Sequence, residues 1–294
     1  MKERIEYALV KVLLWFAGIL PEGLLYWLMR KIALLLYRID SKRRTLTIQN
    51  LTAAFPQYST EHIEALSKEV YVELSQTVTE ILLMFVDRFD IDKAVINAKE
   101  AQEALRKIKT SAKKGVIVVT AHFSNWELAA HFLAKHGLPM LAIGREGNNR
   151  LIDRHITVPF RNKYGNRAVS KKRAMVAMAK ALKSGEAVGL LIDQKAGEIN
   201  SAKVDFFGMP AETTTSVAML KLKFDPTVVP IFIARESRGI YRMHVGAPIE
   251  YKAEEIADKE EKLAAMTQKY TRAIETMIRK YPAQWFWMHN RWRR

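Results

Sequence analysis

The chain of 294 residues has no cysteine, which excludes a disulfide framework, a thiolate nucleophile and any Cys-ligated zinc or iron–sulfur centre. A reducing compartment is the simpler setting, with the cytoplasm the expected side for the folded part. A His-Glu-x-x-His motif, a P-loop and a dinucleotide fingerprint are also missing, so metal-assisted hydrolysis and nucleotide-dependent chemistry have no starting point here. Neither a metal nor a cofactor is expected. No repeat, low-complexity tract or long Gly/Pro/Ser linker divides the sequence, and no small-residue cleavage site follows the apolar N-terminus. Acidic residues are in the minority: 31 Asp and Glu against 47 Lys and Arg leave a net charge of +16, which points to anionic partners. No recognisable DNA- or RNA-binding motif accompanies that charge, so nucleic acid is not expected as a partner. A basic, non-enzymatic membrane or nucleic-acid binding protein is the alternative from another class.

Residues 1–45 form a distinct apolar segment. Val12 to Pro21, Gly23 to Met29 and Ile32 to Tyr37 are uncharged runs, interrupted by Glu22, Arg30 and Lys31. None reaches the roughly 20 apolar residues of a spanning helix, and Pro21-Glu22 reads as the break between two helices. Trp15, Tyr26, Trp27 and Tyr37 are amphipathic aromatics of the kind found at lipid headgroups. Arg30, Lys31, Arg38, Lys42, Arg43 and Arg44 supply a basic flank for anionic lipid. Two helices in contact with membrane lipids are expected; helices that merely cap a soluble core are the alternative.

Residues 46–294 read as one domain. A helix is expected from Ser59 or Thr60 to about Phe85, with apolar Ile63, Leu66, Val70 and Leu74 at helical spacing. Strands are expected over 115–120, 138–143, 187–192, 227–234 and 241–245, and helices over 125–134, 150–164, 171–183, 214–224 and 254–280. This alternation predicts an α/β fold, a mixed sheet flanked by helices.

His122 directly follows the first expected strand, and Glu127 lies in the first turn of the next helix, with Asn125 as its N-cap. With seven histidines, one His-x4-acid match by chance is common. Position is what singles this one out, because strand ends in α/β folds gather reacting groups. A carboxylate on one imidazole nitrogen fixes the tautomer and leaves the other nitrogen free to take a proton. A buried structural histidine is the alternative.

Four phrases occur in order: Thr-Ala-His-Phe-Ser-Asn-Trp-Glu-Leu (120–128), Leu-Ile-Asp-Gln (191–194), Asp-Phe-Phe-Gly-Met-Pro-Ala-Glu-Thr-Thr-Thr (205–215) and Pro-Ala-Gln-Trp-Phe-Trp-Met-His-Asn-Arg-Trp (282–292). With Asn-Leu-Thr-Ala-Ala-Phe-Pro (50–56) and the greasy N-terminus, the chain resembles, over nearly its whole length, the bacterial lipid A biosynthesis acyltransferases. These are the late lauroyl/myristoyl transferases of the lysophospholipid acyltransferase superfamily. The resemblance implies a glycerol-3-phosphate acyltransferase-like sandwich at the inner membrane, its catalytic domain on the cytoplasmic side. It also implies a His122–Glu127 dyad, with His122 as base and Glu127 orienting it, an acyl carrier protein or coenzyme A thioester as donor, and a glycolipid acceptor. Phosphatidylinositol mannoside or a lysophospholipid, acylated from coenzyme A, is the alternative acceptor.

For substrate binding the expected set is Asn125, Arg145, Arg161, Asp193, Gln194, Thr213 and Thr214. The resemblance implies functional Arg and Asp positions, placed at Arg161 and Asp193 with Arg145 as a second arginine. Arg145, Arg161 or backbone N–H groups at the helix start would bind the oxyanion, or the arginines belong to a solvated basic face. Asp193 beside Gln194 would position an arginine or a sugar hydroxyl, or cap the following turn. Thr213 and Thr214, read as the opening of a helix, would hold a phosphate or merely cap. Met175, Met178 and Met219 with Phe206 and Phe207 fit an acyl groove or plain core. Trp285, Trp287 and Trp292, beside Arg291, Arg293 and Arg294, would lie against membrane or carrier protein. Lys171, Lys172 and Arg173 would steer an acidic carrier protein.

Overall fold

A computed structural model describes residues 1–144, 147–170, 174–197, 199–251 and 256–292. Four helices come first: α1 (Lys2–Ile19), α2 (Glu22–Ile39), α3 (Ser41–Ala54) and α4 (Thr60–Phe85). The break between the first two falls at Leu20 and Pro21, as the sequence predicts. Ser59 caps α4 by accepting from the His62 amide. A single-turn helix, α5 (Ile91–Ala94), and a longer one, α6 (Ala98–Ser111), lead into the sheet.

The sheet alternates with helices: β1 (Val116–Thr120), α7 (Trp126–Lys135), β2 (Met140–Gly144), α8 (Arg150–Ile152), α9 (Val158–Arg161), β3 (Arg167–Ser170), α10 (Ala174–Lys183) and β4 (Ala187–Leu191). A hairpin, β5 (Ser201–Phe206) and β6 (Met209–Thr214), precedes α11 (Ser216–Phe224), β7 (Thr227–Ser237), β8 (Ile240–Val245) and α12 (Lys259–Lys280). Strand order in the six-stranded sheet is β3-β2-β4-β1-β7-β8. Neighbours are parallel except β7 and β8, so the sheet is mixed, as expected. The central strand β1 is a run of Val and Ile buried on both faces, which is what a parallel sheet covered by helices demands. One layer of core, with α4, α10, α11 and α12, lies on one face; α6 and α7 cover the other.

Three expectations change. The helix expected over 150–164 is broken: a π-helical turn at Asp153–Thr157 separates α8 from α9, next to Pro159, whose missing N–H removes one rung of an α-helical ladder. Thr213 and Thr214 end a strand rather than open a helix. The hairpin they belong to turns on Phe207 and Gly208, both at positive φ, the geometry of a two-residue hairpin turn. The tryptophan tail is interior: Trp285 and Trp287 are buried, and Trp292 stacks on Phe206 at 5.5 Å. Phe206, Phe207 and Met178 belong to the same core, whereas Met175 is exposed.

The C-terminal segment is tied down by α3, where Asn50 donates to the carbonyls of Trp287 (2.8 Å) and His289 (2.9 Å). Among the described residues no helix is long and apolar enough to cross a membrane. α2 buries Leu25 and Tyr26 against Leu82 and Leu83 of α4, and Arg88 caps the C-terminal end of α1 through the carbonyls of Ala17 and Leu20. Their other faces expose Leu9, Trp15, Phe16, Leu24, Trp27 and Leu36.

Trp287 is fully buried among Trp285, Phe55 and Phe207, with ring centroids at 4.6, 5.7 and 5.8 Å. Trp287→Ala is expected to cost about 3–5 kcal/mol, as large-to-small changes at packed aromatic sites do. Denaturant unfolding checks this; a loss under about 1 kcal/mol would mean the segment is not part of the core.

Candidate active site

β1 and β4 are adjacent and parallel, with Thr120 opposite Leu191. Two positions beyond that pair, the chains deliver His122 and Asp193 side by side. The Asp193 carboxylate is almost fully buried and makes three bonds: Oδ1 with His122 Nδ1 at 2.9 Å, and Oδ2 from the His122 backbone N–H at 3.1 Å and from Trp285 Nε1 at 2.8 Å. An ionised carboxylate only accepts, so Nδ1 carries the proton and Nε2 is left bare. The imidazole is 28% exposed and meets Trp126 edge-on at 5.3 Å. Beside it a narrow cleft runs between α4 and the 282–286 turn, lined by His122, Ser124, Trp126, Leu74 and Phe286.

Burial would lower the His122 pKa, but the Asp193 carboxylate overrides it and holds the imidazole above its ordinary value; Glu127 pushes the same way and Arg161 opposes. Burial likewise would raise Asp193, and the imidazole and the Trp285 indole keep it below the usual carboxylate range. Each group therefore favours the charged form of the other: the carboxylate stays ionised and the imidazole takes a proton more readily.

Glu127 takes a different place from the one the spacing implies. With Asn125 capping α7 through the Leu128 N–H (3.0 Å), Glu127 sits in the first helical turn and faces α9. There its Oε1 accepts from Arg161 Nε at 3.0 Å and Nη2 at 2.6 Å. Among the described residues His122 has its carboxylate hydrogen bond from Asp193, not from Glu127. The physical reason is the register of β1 and β4, which already fills the Nδ1 side. His131, one turn along α7, seats the Arg161 segment by donating from Nε2 to the Phe160 carbonyl at 2.9 Å; burial lowers its pKa.

Over residues 2–294 the sequence matches the family described as bacterial lipid A biosynthesis acyltransferase. This chain belongs to that family. It is 27% identical over 293 residues to the lipid A biosynthesis palmitoleoyltransferase of Escherichia coli (strain K12), covering 95% of this chain and 88% of the relative. It is 26% identical over 283 residues to the lauroyltransferase of the same organism, covering 95% and 89%. A lipid A biosynthesis acyltransferase of Haemophilus influenzae is 24% identical over 259 residues, 87% of this chain and 79% of the relative.

In this acyltransferase the remaining expected residues separate into two groups. Arg161, Glu127 and Asp193 converge around His122, and Gln194 follows on a partly exposed bend. Asn125, Thr213 and Thr214 do not offer free groups to a substrate. Asn125 is fully buried, its Oδ1 on the α7 cap and its Nδ2 on Glu80 at 3.3 Å. Thr213 is buried against Arg291, and Thr214 bonds Ser216 Oγ at 2.8 Å. Arg145 and the 171–173 basic cluster lie outside the described residues, as do Arg293 and Arg294.

Two residues expected against membrane or carrier protein are interior instead. Trp285 acts through its indole N–H on Asp193, a contact with no sequence period to announce it. Arg291 is fully buried under the Phe206 ring at 5.1 Å, where burial pushes its guanidinium down to about 10. Both lie in the 282–292 phrase, whose density of Trp beside Arg was the available signal.

Replacing Asp193 by Asn is expected to lower the His122 pKa, because burial and Arg161 then act with only the Glu127 charge against them. A histidine side-chain NMR titration checks it; an unchanged or raised value would mean that Asp193 is not the group holding the imidazole up.

Proposed function

We propose that this acyltransferase moves a fatty acyl chain from an acyl carrier protein thioester to a hydroxyl of a lipid A precursor, working at the cytoplasmic face of the inner membrane. The observation that carries this reading is the His122–Asp193 pair, with a bare imidazole nitrogen facing the cleft. His122 Nε2 takes the proton of the acceptor hydroxyl as its oxygen attacks the thioester carbonyl carbon. The tetrahedral intermediate collapses, the C–S bond breaks, and the departing thiolate takes the proton back from the imidazolium. Both the base and the later acid are thus one residue, and no acyl-enzyme is formed.

Asp193 holds the tautomer and stabilises the imidazolium, while Glu127 adds its charge through space and anchors Arg161. Arg161 uses Nε and Nη2 on Glu127 and, being partly exposed, keeps the rest of its guanidinium for an oxyanion or a phosphate oxygen of the acceptor. A lipid A relative acting on palmitoleoyl or lauroyl chains supports the acyl and acceptor classes. The net charge of +16 fits an acidic carrier protein and a phosphorylated lipid alike.

Membrane seating is supported by the exposed apolar faces of α1 and α2, whose aromatic residues Trp15 and Trp27 stand beside Lys11 and Lys31. The inward faces pack on α4, so the two helices are part of the fold as well as a surface for lipid.

His122→Ala is expected to reduce transfer by about 10²-fold or more in a folded protein, with lauroyl–acyl carrier protein and a lipid A precursor as substrates and mass spectrometry as the readout. Retained activity would remove the assignment. In the wild type the rate should fall as pH drops through a His122 pKa lying above its ordinary value, since the protonated ring is no base; a rate that rises on acidification would contradict it.

The membrane reading has its own check. The triple change Leu9→Ser, Trp15→Ser and Trp27→Ser should abolish flotation with vesicles of phosphatidylethanolamine and phosphatidylglycerol, while high salt alone leaves the wild type bound, because apolar burial is not screened. Complete release of the wild type by salt would make the attachment purely electrostatic.

A further inference from the structure

A second buried ionic cluster lies behind the turn that carries His122. Glu80 of α4 is fully buried, and its carboxylate accepts from five donors. Oε1 takes the Tyr26 hydroxyl and the Gly239 N–H, each at 3.2 Å. Oε2 takes Asn125 Nδ2 at 3.3 Å, Arg235 Nη2 at 2.9 Å and the Tyr241 hydroxyl. Arg235, from β7, also bonds Thr77 Oγ1 at 2.9 Å and pairs with Glu73. Burial would lower its pKa, but the surrounding Tyr241, Glu80 and Glu73 hold it well above the ordinary arginine value.

Such a cluster is poorly explained by stability alone, because well-packed apolar residues often serve a core as well as a buried ion pair does. What the cluster touches is more informative. Ser124, two residues after His122, has φ of 52°, left-handed backbone that costs a non-glycine residue about 1 kcal/mol or more and persists only where neighbours enforce it. Its backbone is gripped at both ends: the carbonyl accepts from Thr77 Oγ1 at 3.3 Å, and the N–H donates to the Gln284 carbonyl at 2.7 Å. Gln284 is in turn clamped to the Arg235 backbone by two side-chain bonds of 2.8 Å. The next residue, Asn125, is the one bound by Glu80. Three routes from the cluster, through Thr77, Gln284 and Asn125, therefore end on the 122–125 turn, and Glu73, Thr77 and Gln284 also line the cleft beside it.

We propose that Glu80 and Arg235 are positioning residues for acyl transfer: through Thr77 and Asn125 they hold the strained Ser124 turn that keeps the His122 imidazole on Asp193. The inference rests on the reading of His122 as the base. Neither residue touches a substrate; each acts through the turn. Because Tyr26 of α2 shares the Glu80 carboxylate, the same pair also joins the apolar N-terminal helices to the reacting group.

The test uses the full chain with lauroyl–acyl carrier protein and a lipid A precursor. Glu80→Gln is the direct variant; Thr77→Val and Asn125→Ser are milder, the first isosteric and the second keeping a helix-capping oxygen. Each is expected to lower kcat about tenfold or more with KM within about twofold, since a displacement near 1 Å of a reacting group costs up to about 10²-fold. Thr77→Ser, which restores the hydroxyl, should recover most of the rate. Folded variants of Thr77 and Asn125 that lose only thermal stability and keep the wild-type kcat would overturn the positioning role, and they decide the matter if Glu80→Gln does not fold. His122→Ala run beside them separates the two ideas: an active His122→Ala removes the base itself, whereas an inactive one alongside fully active Thr77 and Asn125 variants removes only the inference about Glu80 and Arg235.

Discussion

One hydrogen bond, from the His122 imidazole to the Asp193 carboxylate, organises the molecule around it. It exists because β1 and β4 are parallel neighbours in fixed register, so two residues separated by 71 positions emerge at the same height from the same sheet edge. In a sheet buried on both faces a slip of one residue would exchange the side chains of the two faces, so register is held by the fit of those side chains against the helices on each side. The reacting geometry thus inherits its precision from the core. The 282–292 segment completes it: Trp285 binds Asp193 from behind, and Asn50 of α3 pins the segment by two backbone carbonyls.

The same edge separates two carboxylates into different tasks. Asp193 is almost wholly buried and spends its lone pairs on His122 and Trp285. Glu127 is nearer the surface and spends its own on Arg161. A guanidinium beside an imidazole would by itself make that imidazole harder to protonate; the two carboxylates outweigh it. Arg161 can therefore stand near His122 without pulling the imidazole below its ordinary value. Membership of the lipid A acyltransferase family gives this arrangement its chemical setting, acyl transfer in lipid A biosynthesis.

How much of this is legible in the sequence depends on the range of the interaction. The β-branched run before His122, the alternation of strands and helices, the break at Pro21 and the α4 helix with its Ser59 cap all follow from local pattern, and the structure has them. The partner of His122 does not, because Asp193 becomes adjacent only through strand pairing. A spacing argument favours the nearby Glu127, whereas the helix start turns that side chain toward Arg161. The hairpin at 201–214 is hidden for another reason: the Thr213-Thr214-Thr215 run imitates a helix cap, although Phe207-Gly208 supplies the hairpin turn. Nothing in the local pattern marks Arg235 as buried, and Arg291 sits in a tail that reads as a membrane or carrier contact; only tertiary packing makes both interior cations.

The central claim is that Asp193 fixes the proton on His122 Nδ1 and leaves Nε2 bare toward the cleft. Nitrogen-15 chemical shifts of the two ring nitrogens, recorded on the full chain at a pH where the imidazole is neutral, test it most directly. The account predicts a protonated-type resonance at Nδ1 and an unprotonated one at Nε2, with Asp193→Asn losing that preference. A neutral ring protonated at Nε2 would contradict it, since that nitrogen then has no lone pair with which to take the acceptor's proton.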